Sequence, residues 1–190
     1  MTSVAKRSAT YADVLALKDN VIGEIVFGEL LVSPRPSGPH AVAASAVGIE
    51  IGGPFNKGHS GGPGDWWILF EPELHLGGHV LVPDVAGWPR SVMATPPVDH
   101  RFTVPPIWLC EVLSPSNGQF DRIRKLDAYG QVGVQFVWIV DPQLKTLEVF
   151  QNQQGAWLRL QAFSHTEGDE RIRAKPFDAL ELNLAGFWVP

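Results

Sequence analysis

The chain has 190 residues, about one domain by the usual length prior, and its 45% apolar and 18% charged content argues against disorder. A net charge of -5 argues against a protein that coats nucleic acid by bulk electrostatics, although Arg122, Arg124 and Lys125, and separately Arg159, Arg171, Arg173 and Lys175, form local basic groups. No apolar run approaches the roughly 20 residues of a membrane span, Met1 to Ala9 lack a signal-peptide core, and the lone Cys110 cannot form an internal disulfide, so the expectation is one cytoplasmic domain over residues 1–190 with no membrane partner.

Thr10 to Leu17 predicts a short helix capped by Thr10, with Asp13 three residues on. Glu24 to Ser33 predicts a hairpin turning near Phe27-Gly28, and Pro34 to Pro39 a turn-rich connection. His40 to Ile51, apolar on several faces, predicts a core helix that ends at Gly52-Gly53, followed by a Gly-rich loop from Asn56 to Asp65. Trp66 to Phe70, Glu73 to Leu76 and His79 to Val82 are strand material, with Gly77-Gly78 as a tight turn and Val85 to Trp88 as an extension. Ser91 to Pro106 reads as loop.

Ile107 to Leu113 predicts a central strand, with Ile107, Leu109, Glu111 and Leu113 on one face and Trp108, Cys110 and Val112 on the other. Gln119 to Gln131 predicts a helix with an inner stripe of Phe120, Ile123 and Leu126, ended by Gly130 or Gly133. Gln135 to Val140 follows as a second central strand, and Asp141-Pro142 turns the chain into Thr146 to Phe150. Strands at Trp157 to Phe163 and Leu180 to Leu184 complete an α/β sandwich.

Two acids stand at or within runs expected to be buried, where an ionised carboxylate is costly unless something compensates it: Asp84 behind Pro83 at the close of a strand, and Glu111 on the central strand. Their separation of 27 residues permits neighbouring strands, about 5 Å apart, on which both carboxylates could share one divalent cation. Lys125 projects from the following helix, with Asp121 and Tyr129 one turn before and after it. The combination predicts metal-assisted phosphodiester hydrolysis, with Asp84 and Glu111 as Mg2+ ligands (Mn2+ as the alternative) and Lys125 orienting water or stabilising charge.

Pro83-Asp84-Val85, Glu111-Val112-Leu113-Ser114-Pro115-Ser116, Lys125-Leu126 with Tyr129, Gly133-Val134 and Trp138-Ile139-Val140-Asp141-Pro142 together resemble the Uma family, formerly domain of unknown function 820, of the PD-(D/E)XK restriction-endonuclease-like superfamily. The resemblance covers nearly the whole chain. It implies an α/β (α+β) fold, a restriction-endonuclease-like mixed central sheet flanked by helices with an N-terminal hairpin. It also implies a nuclease acting on DNA, with Asp84 as the first metal-binding aspartate and Glu111 as the second acidic ligand. The superfamily's usual lysine position is Leu113 here, so the resemblance requires the lysine on the helix, at Lys125. Glu24, Glu71 and His40 match further positions of the family pattern and are auxiliary candidates with Asp121 and Tyr129.

Each assignment has a structural competitor. Asp84 could cap a turn, Glu111 could belong to a buried ion pair, Lys125 could pair only with Asp121, and His40 could serve the helix start. Leu113 and the acidic net charge motivate the alternative of a noncatalytic nucleic-acid- or protein-binding domain. His75 and His79, spaced as a zinc pair would be, lack a third ligand. Trp66, Trp67 and Trp88 are core by type but could line a groove and stack on bases. The apolar Phe187-Trp188-Val189 leaves homodimerisation open.

Overall fold

Turn chemistry and the alternation of apolar residues divide the chain between two sheets. In the computed structural model, residues 7–59, 62–114 and 119–189 are described. Pro115 and Ser116 of the central motif lie outside the described residues, as do the side chains of Phe120, Asp121 and Arg122.

A short helix α1 (Tyr11–Leu15) leads into the hairpin of β1 (Val21–Val26) and β2 (Glu29–Pro34). Phe27 and Gly28 carry φ of 51° and 74°, the two left-handed residues of the tight turn whose twist matches antiparallel strands. Helix α2 (Gly38–Ile51) starts two residues before the expected His40, with Pro39 in its first turn, where a missing N–H costs nothing. It does not stop at Gly52-Gly53. The chain continues through one wide π turn, Gly52–Asn56, which seats Phe55 in the core.

The middle of the chain holds β3 (Trp66–Phe70), β4 (Glu73–Leu76), β5 (His79–Leu81), β6 (Val85–Pro89), the short β7 (Arg101–Phe102) and β8 (Trp108–Val112). Helix α3 (Gln119–Gln131) then crosses to β9 (Phe136–Asp141), followed by β10 (Thr146–Gln153), β11 (Ala156–Ser164), β12 (Arg171–Ile172) and β13 (Leu182–Asn183). One sheet runs β2-β1-β5-β4-β7 and the other β11-β10-β9-β8-β6-β3; β12 and β13 form a small separate pair. β8 and β9 are parallel, as strands joined by a crossover helix are, and the remaining pairs of the six-stranded sheet are antiparallel.

The two-sheet arrangement corrects the expectation for Val85 to Trp88. Instead of extending the His79 strand, β6 belongs to the other sheet, where Val85 pairs with Cys110 and Ala86 with Leu109. The chain changes sheets at Val82-Pro83-Asp84, where proline removes a ladder donor. Asp84 thus precedes a strand rather than closing one. Leu180 to Leu184 is also shorter as a strand than expected, giving way to a 3-10 turn at Leu184–Phe187.

The six-stranded sheet is covered on both faces. Trp108, Cys110 and Val112 meet α2 and the C-terminal segment through Val47, Ile51, Phe177 and Phe187. Leu109 and Ile139, on the other face, pack with Ala128 and Tyr129 of α3 and with Val26, Leu74 and Leu81 of the second sheet. The expected alternation along the central strand therefore holds. Of the stripe expected on α3, Leu126 packs on the core, but Ile123 is 57% exposed, and Ala128 and Tyr129 face inward with Leu126. Phe187 and Trp188 are buried in the core, so the apolar C-terminal stretch serves packing there. Among the described residues no helix is long and apolar enough to cross a membrane.

Candidate active site

The change of sheet at Asp84, the end of β8 and the inner face of α3 converge. Register places Asp84 just before the Val85–Cys110 pair, beside Glu111 on the adjacent strand. The backbone N–H of Val112 donates to Asp84 Oδ2 at 2.7 Å, and His40 Nε2, from the first turn of α2, lies 3.2 Å from Asp84 Oδ1. From β1, Glu24 accepts the N–H of Val82 at Oε1 over 2.8 Å, tying the hairpin to the segment that carries Asp84.

Lys125 joins the two acidic walls. Its Nζ lies 2.8 Å from Glu111 Oε1 and 3.0 Å from Glu24 Oε1. One turn along α3, the Tyr129 hydroxyl donates to the same Glu111 oxygen at 2.5 Å. The side chains of these ion pairs are sheltered, from 6% exposed at Glu24 to 16% at Glu111. Three carboxylates therefore face one ammonium and one imidazole.

The electrostatics follow from burial and neighbours. Burial pushes Glu111 up to about 7, opposed by Lys125 and assisted by Asp84 and Glu24. Burial works against the Lys125 ammonium, but Glu111 and Glu24 outweigh it and raise its pKa, so it remains a cation. Burial also opposes a charged His40, yet the hydrogen bond and charge of Asp84 raise that imidazole above the usual histidine value. Tyr129 is driven well above the ordinary phenol range by burial and then by Glu111 and Glu24, which keeps it a donor. Burial likewise keeps Cys110 a thiol.

Glu24, His40, Glu111, Lys125 and Tyr129 line a pocket of 580 Å3, together with Leu31 and Ser33 of β2, the start of α2, Leu126 of α3, and the Asp141–Leu144 turn after β9. A 40 Å3 recess beside it adds Asp84, Val82 and Arg35. The structure thus gathers Asp84, Glu111, Lys125, Tyr129, Glu24 and His40. Glu71 stands apart: its N–H donates to the Asp84 carbonyl at 3.1 Å, but its exposed carboxylate faces Arg35 at 3.8 Å. The side chain of Asp121 lies outside those described.

Other candidates have structural partners. His79 Nδ1 accepts the Phe27 N–H at 3.2 Å, with burial lowering its pKa, whereas His75 Nε2 meets Glu73 at 2.6 Å, so the imagined zinc pair looks to different neighbours. Trp88 is buried and donates to the Val104 carbonyl, Trp66 packs on Phe177, and Trp67 donates to the Met93 carbonyl under the Arg90 guanidinium; none serves as a base-stacking wall of the pocket. Arg35 and the Leu144 wall were not foreseen, because each lies in a turn that offers no local chemical pattern.

Among the described residues no group of three or more His, Cys, Asp or Glu is arranged to hold a metal ion by itself. Mg2+ asks for less, usually one or two carboxylates with water and substrate phosphate completing its shell. The oxygen donors of Asp84, just before β6, and Glu111, on the adjacent β8, fit that pattern beside a lysine.

The sequence model of the Uma2 family, described as "Putative restriction endonuclease", matches residues 10–185. No match is found among the curated proteins. In fold the chain is similar to a crystal structure from Anabaena variabilis described as "a putative nuclease belonging to DUF820", with a TM-score of 0.74 and 23% identity over 94% of this chain and 97% of that one. That likeness carries the α+β architecture across nearly the whole of both chains.

Proposed function

Because the chain belongs to the Uma2 family, whose model is described as "Putative restriction endonuclease", we propose that it is a Mg2+-dependent nuclease that hydrolyses phosphodiester bonds in DNA. The observation that carries this reading is the meeting of Glu111 with Lys125 and Tyr129 in the wall of a pocket, with Asp84 beside Glu111 at the start of the neighbouring strand.

Asp84 and Glu111 would hold the metal. When bound, it supplies a water activated at neutral pH and offsets charge on the phosphorane. The residues of the chain do the rest. Lys125, held cationic by two carboxylates, places a fixed positive charge where negative charge grows on the phosphate; it is not a base, because its pKa is raised. Tyr129 fixes Glu111, and His40 with the Val112 N–H fixes Asp84, so neither carboxylate must reorganise during the reaction. Leu113, in the superfamily's usual lysine position, is half-buried against the core, and the ammonium comes from α3 instead.

Titration of Mn2+ into the wild type, Asp84→Ala and Glu111→Ala, each checked for folding by circular dichroism, tests the reading. Saturable binding lost in both variants, with cleavage of plasmid DNA lost in parallel, is the expected result. A wild type that binds no Mn2+ even with DNA present points to a noncatalytic domain that retains the fold.

A further inference from the structure

Resting on the nuclease reading, we propose that the site takes an unpaired nucleotide, so that the preferred substrate is single-stranded DNA or an extrahelical position in a duplex. Glu111 and Lys125, the groups that would meet the scissile phosphate, line the pocket and are only 16% and 13% exposed, so a phosphate must leave the open surface to reach them. A paired duplex carries its phosphates on a rigid outer surface, with grooves about 12 and 6 Å wide. It can touch the mouth of a pocket, but it cannot send a nucleotide inside without unpairing it.

The dimensions and walls of the pocket suit one nucleotide. Its 580 Å3 falls in the range of about 300–1,000 Å3 that encloses a single small ligand. Leu31 from β2 and Leu126 from α3 offer apolar surface on two sides, and Pro142 and Leu144 offer it on a third. Such walls hold an extruded base by its faces. Asp141 fixes the third wall by accepting the N–H groups of Gln143 and Leu144 at 2.9 and 3.0 Å, so it is pre-formed. Charge agrees with this assignment. A protein that tracks duplex phosphates needs an array of Lys and Arg, but this chain is acidic overall and, among the described residues that line the pocket, the one Lys or Arg is Lys125, already aligned on two carboxylates.

The test uses the complete chain and a DNA hairpin carrying 2-aminopurine either in a single-nucleotide bulge or in a matched pair. Binding is read by fluorescence in EDTA, and cleavage separately in Mn2+. The expected result is a saturable fluorescence change for the bulged probe, affinity at least about tenfold above the matched probe, and cuts beside the unpaired nucleotide. Leu144→Trp, at a 63% exposed position and checked for folding by circular dichroism, should narrow the pocket and abolish the fluorescence change. Equal binding and cleavage of matched and bulged DNA would overturn the inference and leave the nuclease reading standing. Saturable bulge-specific fluorescence without cleavage would sustain the pocket's preference for an unpaired nucleotide, as a binding site, and sink the nuclease reading. No fluorescence change and no cleavage would overturn both.

Discussion

Lys125 Nζ lies 2.8 Å from Glu111 Oε1, a contact that binds the crossover helix to the central strand it follows. The ammonium also reaches Glu24 of the N-terminal hairpin at 3.0 Å, so one side chain holds together three elements from different parts of the chain. Charge at the candidate site and fold stability are coupled through it.

Removing that ammonium leaves two buried carboxylates facing each other. Lys125→Met should therefore lose about 3–5 kcal/mol at pH 8, where Glu111 is ionised, because a broken buried pair costs more than the pair itself is worth. Glu111→Gln added to it should recover part of the loss. Urea unfolding of the single and double variants decides the point, and additive losses would show that the two residues are not coupled.

Rigid neighbours close in on the sheet beneath the site. A Cβ on Gly87 of β6 would stand 3.0 Å from both Ile68 Cδ1 and Trp108 Cε3, and these are buried core side chains with little room to move. Gly87→Ala should cost about 1–3 kcal/mol through overpacking. At Gly48 of α2 the added atom would strike the ring of Phe70, which is 55% exposed and free to swing outward, so Gly48→Ala should cost less. Thermal unfolding of both variants gives the order, and a larger loss at Gly48 would contradict it.

What the sequence made legible was local or periodic. The turn at Phe27-Gly28, the two faces of β8 and the α3 crossover follow from glycine placement and alternation, which short windows carry. Asp84 and Glu111 stood out because charge inside an apolar run is costly, and Lys125 because it projects from the helix that follows the Glu111 strand. The division into two sheets was hidden, since β5 and β6 are separated only by Val82-Pro83-Asp84 and nothing in that tripeptide states which sheet the next strand joins. Ile123 misled for a related reason: its spacing fits a helical stripe, but the stripe that packs is set by what lies beneath the helix. The contact of Glu24 with Lys125 depends on tertiary approach across most of the chain, which no local pattern encodes.

Glu111 makes stability and activity respond oppositely to pH. Burial lifts its pKa from 4.5 to about 7, so between those values the folded chain holds a proton that the unfolded chain has released. Its contribution to stability is thus complete below pH 4.5 and is lost as pH rises toward 7, by at most about 1.4 kcal/mol per unit. Metal binding needs the ionised carboxylate, so cleavage should climb over the same interval and level off above about pH 7. Comparing urea midpoints of wild type and Glu111→Gln from pH 5 to 8 isolates the stability component from other groups. A difference that does not vary with pH would show that Glu111 titrates in its ordinary range.

The Tyr129 hydroxyl bears on that same titration. It donates to Glu111 Oε1 at 2.5 Å, and a hydrogen bond to the charged form favours ionisation. Tyr129→Phe keeps the buried ring but removes the donor, which should move the acid limb of the pH–activity profile to higher pH than in the wild type. Above pH 7 the variant should also lose about 1.5–3 kcal/mol of stability, the usual worth of a hydrogen bond to a charged group, and less below it, where the carboxyl is neutral. A purely structural role for the tyrosine would instead scale activity down equally at every pH. The measurement is the cleavage rate from pH 5.5 to 9.5: a displaced limb that meets the wild-type plateau at high pH assigns Tyr129 to the charge state of Glu111, and an unshifted limb with a lower plateau assigns it to packing alone.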